Sequence, residues 1–233
     1  AGSGNDAAIA SDNGVSRIDV VEIDREIVDI GRKLHPNKPY QNPNIEIYID
    51  DARSFLKKST DKYEMIVVGT LDSHALLSAK STVRLDNFVY TAESLQEMKN
   101  HLTDDGVVVY MFSAPVEWLG NKIVKSVQEV YEKSTIVLRL EPQIFNLMII
   151  AGPGTETLIK NYPNLKQYQS IPENIFDSEN ISTDDWPYLY LRTHSISSYY
   201  FIAIGVLLLT SCAALFLLFR RNKYALFQWS SLT

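Results

Sequence analysis

Cysteine is all but missing: Cys212 is the only one in 233 residues, and it lies in an apolar run near the end. No disulfide can form within the chain, and a cysteine zinc site is excluded. The histidines His35, His74, His101 and His194 show no H-x-x-x-H or comparable spacing, so the sequence offers no metal site. Positive charge is short as well. Lys and Arg number 22 against 28 Asp and Glu, a net charge of −6. No basic cluster interrupts the region before Ser198, which argues against a nucleic-acid partner. Internal repeats and low-complexity tracts are also missing.

Glycine, by contrast, is well placed at the start. Residues 1–7 read AGSGNDA, a G-x-G-x-x-A pattern. Two glycines so spaced let the backbone turn sharply and approach a ligand with no Cβ in the way. In nucleotide-binding α/β folds this turn leads from a strand into a helix. An ordinary loop would carry the same residues, so the weight rests on the three apolar runs between residues 17 and 72. Residues 17–23 (RIDVVEI) read as a buried strand closed by Glu22-Ile23-Asp24. An acid about 20 residues after the glycines suits the hydroxyls of a ribose. A second apolar run, 45–49, ends in Asp50-Asp51-Ala52, and a third, 63–68, in Gly69-Thr70-Leu71-Asp72. Each strand hands polar residues to its carboxyl end, where open α/β sheets bind ligands. The glycine turn should itself follow a strand. The expectation is a fragment of a longer protein whose first strand lies upstream.

Further along, residues 25–34 read as a helix with Ile27, Ile30 and Leu34 on one face. Short helices are expected at 6–13 and 51–58, a long polar loop at 69–87, and a helix at 91–102 with Thr91 as its cap. Asp104-Asp105-Gly106 reads as a turn before a β-branched strand, 106–112, and 115–131 as an amphipathic helix. Two close-set strands, 134–140 and 143–151, suggest an antiparallel hairpin. Alternating strands and helices predict a doubly wound, mostly parallel α/β sheet, here with that hairpin at its end. The expected organisation is an α/β domain over 1–152, an irregular covering and juxtamembrane segment over 153–197, a transmembrane helix over 198–220 and a basic tail over 221–233. Residues 199–219 are uncharged and long enough to cross a bilayer. Arg220, Arg221 and Lys223 come directly after them, and counting positive charge puts that end in the cytoplasm. With flanking spans in a longer protein the local count does not decide the orientation, and a cytoplasmic α/β domain is the expectation.

In that order and spacing, AGSGND, VEID, DDA and YEMIVVGTLDS resemble spermidine synthase and its class I methyltransferase-like fold. Residues 71–74 (LDSH), 83–91 (VRLDNFVYT) and 183–191 (TDDWPYLYL) are similar to segments of membrane-embedded, spermidine synthase-like proteins of bacteria. The resemblance implies decarboxylated S-adenosylmethionine or S-adenosylmethionine as cofactor. Gly2 and Gly4 would line the turn, Glu22 would bind the ribose, and Ile23 would pack on the adenine. Asp51 with Ala52 would read the adenine amino group, although Asp51 also suits a helix N-cap. The implied partners are a polyamine-like amine and the lipid bilayer of a bacterial inner membrane. Association with further copies of the chain is left open.

Spermidine synthases carry Asp-Ser-Ser-Asp-Pro after the fourth strand, and this chain has Gly69-Thr70-Leu71-Asp72-Ser73. Asp72 keeps the second carboxylate, while Gly69 replaces the first. Asp72 and His74 are the candidates for catalysis; a solvated loop histidine would look the same as His74. Tyr90, Glu93, Asp184 and Asp185 are candidates to hold the amine. Tyr90 also reads as a packed aromatic, and Asp184-Asp185-Trp186 also reads as a juxtamembrane cap. Two other functions fit parts of the pattern. One is an NAD-dependent oxidoreductase, which the DDA strand end and the terminal hairpin oppose. The other is a non-catalytic cofactor sensor, which Gly69 keeps in play.

Overall fold

The computed structural model describes residues 1–69, 85–114, 116–132, 135–139, 147–170, 180–195 and 198–230. They fall into two compact units, Ala1–Thr193 and His194–Thr233.

In the first unit, the glycine turn feeds α1 (Asn5–Asp12), followed by β1 (Ile18–Glu22), α2 (Arg25–Leu34) and β2 (Ile45–Ile49). The two strands pair in parallel from Ile18 opposite Ile45 to Glu22 opposite Ile49. Ala7, Val20, Val28 and Tyr40 form a small core beneath the helices. The Ile27, Ile30 and Leu34 face of α2 is not the buried one. Val28 and Gly31 point inward, and Leu34 is 76% exposed. A Cβ on Gly31 would collide with the Ser3 carbonyl and the Tyr40 ring. The helix therefore rolls its smallest residue against the turn and leaves the larger apolar side chains outside.

Next come α3 (Ala52–Lys58), β3 (Tyr63–Val68), α4 (Ala92–Asn100), β4 (Leu102–Phe112) and α5 (Glu117–Tyr131). The hairpin strands are β5 (Thr135–Arg139) and β6 (Leu147–Ala151), and β7 (Gln169–Ser170) closes the second sheet in the order β3-β4-β6-β5-β7. Only β3 and β4 are parallel in it; β6 inserts antiparallel between β4 and β5. Val108, Tyr110, Phe112, Leu147 and Ile149 bury one face of this sheet in a core shared with Leu95, Met98, Ile123 and Val127 of α4 and α5.

Three expectations change. Asp104-Asp105-Gly106 is not a turn before the strand: β4 runs through it. The pairing steps from Tyr63 opposite Leu102 to Met65 opposite Val107, so the extra residues form a bulge. Residues 85–87 do not extend the long loop, because Leu85–Tyr90 is a 3-10 turn leading to α4. Residues 153–170 are not irregular cover over the strand tips. They form α6 (Thr155–Asn161), a 3-10 turn over Pro163–Tyr168 and β7, which borders β5 at the sheet edge far from β3.

Among the described residues, neither β1 nor β3 has a strand on its second edge. Their amino ends are joined by side chains: Tyr63 Oη donates to Asp19 at 2.8 Å, and Arg17 reaches both Asp19 and Asp61.

The chain then crosses back over the unit as a strap. The Ala92 amide donates to the Ser182 carbonyl at 2.9 Å. Lys122, fully buried on α5, donates from Nζ to the carbonyls of Tyr188, Leu189 and Leu191 at 3.0, 3.2 and 2.8 Å. A lysine among Ile123, Val124 and Val127 carried no sign of this in the sequence, since lysine is rarely buried unless paired.

In the second unit, α7 (Ser198–Ser230) is a 33-residue helix that continues past the expected end at 220. Ser198–Arg220 has a mean hydropathy of 2.6 and is nowhere buried. Its 23 residues measure about 35 Å at 1.5 Å per residue, against about 30 Å for a bilayer core. Thr210 satisfies its hydroxyl on the Val206 carbonyl within the helix. By length and composition this helix is able to cross a membrane.

Replacing Lys122 by Met takes the shared ammonium donor from three carbonyls, one buried and two partly buried. The expected outcome is a loss of about 2–4 kcal/mol in unfolding free energy, read as a lower midpoint in denaturant titration of the full-length protein. An unchanged midpoint would mean that the cost of burying the ammonium offsets its three hydrogen bonds.

Candidate functional site

The carboxyl ends of β1 and β2 point the same way, and the glycine turn sits against the first of them. Gly2 and Gly4 have φ of 63° and 106°, a region where side chains are strained. A Cβ on Gly4 would stand 2.7 Å from Pro39 Cγ and 3.2 Å from the Tyr40 ring. The turn is held from two sides. Tyr40 Oη donates to the Gly2 carbonyl at 2.6 Å, and the Gly2 amide donates to Glu22 Oε2 at 2.7 Å. Glu22 Oε1 accepts the Asp24 amide at 3.1 Å. Burial alone would raise the Glu22 carboxyl, but the Gly2 and Asp24 amides and the positive amino terminus outweigh it and hold it below the usual carboxylate range. Tyr40 is pushed up to about 12, first by burial and then by the charges of Glu22 and Asp6.

Glu22 Oε2 accepts both the Gly2 amide and the Ala1 nitrogen, while Oε1 keeps a lone pair that fits a ribose hydroxyl. Ile23, just beyond it, is 58% exposed, an apolar surface of the kind a flat base covers. Across the ladder, Asp51 follows β2 by two residues and caps α3, accepting the Ser54 amide at 3.0 Å. Ala52 opens that helix. The structure shows Asp51 as a helix cap at a strand tip. Gly69 comes directly after β3, and a Cβ there would lie 3.2 Å from Asp6 Oδ2. Asp6 carried its own sequence signal, an acid directly after G-x-G-x, that motif matching ignores. A cleft of about 440 Å³ lies between α2 and β2, lined by Arg25, Arg32, Tyr48 and Asp50 among others. It does not include the glycine turn, Glu22 or Asp51.

The other predicted residues are placed differently. Asp72 and His74 lie outside the described residues. Tyr90 is not open to a substrate: it is 4% exposed, with its ring edge-on to Phe112 at 5.2 Å and tilted to Tyr110 at 6.4 Å. Its place in the 3-10 turn before α4 directs it into the core. Glu93 and Asp184 are brought together, but they bind protein groups. Asp184 accepts both terminal nitrogens of Arg53 at 2.7 and 3.0 Å and the Thr91 hydroxyl at 2.7 Å, while its amide donates to Glu93 at 2.9 Å. Arg53 also reaches Glu97 at 3.4 Å. Asp185 is exposed beside this cluster, and Trp186 packs on Tyr188 at 4.8 Å. The sequence hid the cluster because Arg53 and Asp184 are 131 residues apart.

A glycine turn feeding a helix, acids at successive strand tips and a hairpin running against the parallel strands define a methyltransferase-like α/β fold. Human methyltransferase-like protein 13, solved in complex with SAH, shares that fold. Its TM-score is 0.54 at 17% identity, over 74% of this chain and 80% of that one. The chain belongs to the spermine/spermidine synthase domain family, whose model matches residues 8–151. A polyamine aminopropyltransferase of Buchnera aphidicola (subsp. Acyrthosiphon pisum, strain Tuc7) is 28% identical over 98 residues, 41% of this chain and 31% of the relative. One from Prochlorococcus marinus strain MIT 9215 is 23% identical over 165 residues, 66% of this chain and 55% of the relative. The matched stretches thus cover about a third and about half of these relatives' lengths.

The Arg53 hydrogen bonds lower the Asp184 carboxyl below its ordinary value, against the opposing effect of burial and with help from Thr91. A carboxyl depressed by folding stabilises fully above its unfolded value, about 3.9, and that contribution disappears as pH falls through the lower folded value. Asp184→Asn is therefore expected to be less stable than the parent at pH 7, with the difference narrowing below about pH 4. Unfolding midpoints measured across pH 2–7 check this; parallel curves would remove the ion pair from the acid response.

Proposed function

We propose that the protein is a membrane-anchored transferase of spermidine synthase type. It moves an aminopropyl group from decarboxylated S-adenosylmethionine, or a methyl group from S-adenosylmethionine, to a polyamine-like amine. The observation that carries this reading is the glycine turn fastened to Glu22 at the end of β1, beside the end of β2 that Asp51 follows, in a chain of this family. When bound, the sulfonium supplies an electrophilic carbon and a neutral thioether as leaving group. Glu22 holds the ribose, Ile23 packs on the adenine, and Asp51 with Ala52 reads its amino group. Gly2 and Gly4 let the backbone approach with no side chain between. On this reading Asp72 and His74, which follow β3 in the sequence, act on the acceptor, and Glu93 and Asp185 add negative charge. Asp184 serves at one remove, by fixing Arg53 and the cap of α4.

Two further parts of the reading concern what surrounds the domain. The edges of β1 and β3 that no described strand covers, with their amino ends tied together, support a strand between them that runs into the glycine turn. The Ala1 nitrogen already donates to the Val21 carbonyl at 3.1 Å, a rung of such a ladder. The apolar length of α7 supports a crossing of a bacterial inner membrane, and the supply of nucleoside cofactors favours the cytoplasm for the α/β domain.

Calorimetry on the full-length protein in detergent tests the cofactor class. Both sulfonium nucleosides are expected to bind and NAD is not. Glu22→Gln, which loses a charged acceptor, is expected to weaken nucleoside binding by about 10–100-fold. Binding of NAD in place of either sulfonium nucleoside would overturn the reading.

A further inference from the structure

Arg53 stands at the end of a helix that disfavours a cation. It is the second residue of α3, directly after Ala52 and two after the Asp51 cap, at the positive end of the helix dipole. The residue is nonetheless buried, and its guanidinium is held from outside the helix. Nη1 and Nη2 donate to the two oxygens of Asp184, Nη1 also reaches the Phe88 carbonyl at 3.5 Å, and Nε donates to Glu97. A forked pair of this kind fixes direction as well as distance. Asp184 is fixed in turn. Its carboxylate accepts the hydroxyl of Thr91, the cap of α4, its amide donates to Glu93, and the Thr183–Trp186 bridge spans it. Asp184 belongs to the strap, which lies within the first unit and leads on in sequence toward α7.

We propose that Arg53 is a positioning residue for the nucleoside: locked by Asp184, it fixes the first turn of α3, so that docking of the strap and binding of the nucleoside strengthen each other. This goes beyond the sulfonium-nucleoside reading and rests on it. On that reading the adenine meets Asp51 and Ala52, the two residues directly before Arg53. Asp51 keeps its side chain on the Ser54 amide, so its direction follows the pose of that turn. Without Asp184 the guanidinium retains only Glu97 at 3.4 Å and the Phe88 carbonyl at 3.5 Å, two long contacts, beside the free amides of a helix end. The first turn then loses its outer restraint where the adenine edge is read. By linkage the effect is reciprocal, since any affinity that the docked strap adds for the nucleoside is matched by tighter docking of the strap when the nucleoside is bound. The nucleoside site thereby responds to how the segment leading toward α7 is held.

The test uses full-length protein in detergent and methylthioadenosine, which carries the adenine and ribose alone. In the parent, saturating nucleoside is expected to slow hydrogen exchange of the Asp184 and Trp186 amides by about 5–50-fold. Arg53→Met and Asp184→Asn are each expected to weaken nucleoside binding in calorimetry by about the same factor, and the double variant no more than either alone. Val127→Ala, which opens a cavity at a fully buried position of α5, is expected to lower the unfolding midpoint and leave the affinity unchanged. Parental affinity in both single variants overturns the assignment, as do additive losses in the double variant or an equal weakening in Val127→Ala. Exchange in the strap that does not respond to bound nucleoside also overturns it, and that measurement needs no variant to fold. A parent protein that does not bind methylthioadenosine overturns the functional reading itself, and the coupling with it.

Discussion

The hydrogen bond from the Gly2 amide to the Glu22 carboxylate is the constraint on which the candidate site depends. A backbone that turns with positive φ twice in three residues has little to hold it unless its polar groups find partners. Glu22 takes the amide and Tyr40 the carbonyl of the same residue. The carboxylate thereby does two things at once. It pins the turn to the end of β1, and it places negative charge where β1 and β2 both release the chain. Gly31 and Gly4 are a consequence, because each lets a neighbouring element come close to a turn held in that position.

Charge elsewhere in the unit is spent on structure. Arg53, Asp184, Thr91 and Glu93 knit α3, α4 and the returning strap, while Lys122 takes three carbonyls of that strap a few residues farther on. In both places a long-range link is made by one charged side chain that satisfies several polar groups together, the geometry that makes burial of charge tolerable. Acids in such clusters are poor candidates for a mobile substrate, since their lone pairs are already directed at fixed donors. That distinction between committed and uncommitted carboxylates sorts this acidic chain more sharply than composition does.

Local patterns in the sequence carried most of the fold. β2, β3 and α2 fall where periodicity and end signals put them, and the close-set pair of strands is the hairpin it suggested. The insertion of β6 between β4 and β5 was not legible, because strand order depends on pairings that leave no local mark. Nor was the roll of α2: a three-residue stripe of Ile27, Ile30 and Leu34 reads as a buried face, and only the contact between Gly31 and the turn shows otherwise. At the site, Gly2, Gly4, Glu22 and Asp51 were visible because spacing along the chain encodes them. Gly69 was visible as a departure from the resembling family, but the approach of Asp6 to it was not, because the two residues lie in different elements. Arg53 and Lys122 were missed for the same reason.

The edges of β1 and β3 that no described strand covers have a consequence for how the domain keeps company. Met65 and Val67, 57% and 43% exposed, lie on the same face of β3 beside one of those edges. An unpaired row of amides and carbonyls next to apolar side chains is a template on which other polypeptides add as strands. Any version of the protein that leaves these edges bare invites self-association through the sheet, and a short peptide of matching β-forming sequence would compete for the same slot. Solubility of the domain is in this sense a property of its backbone hydrogen bonding, which its net negative charge does not replace.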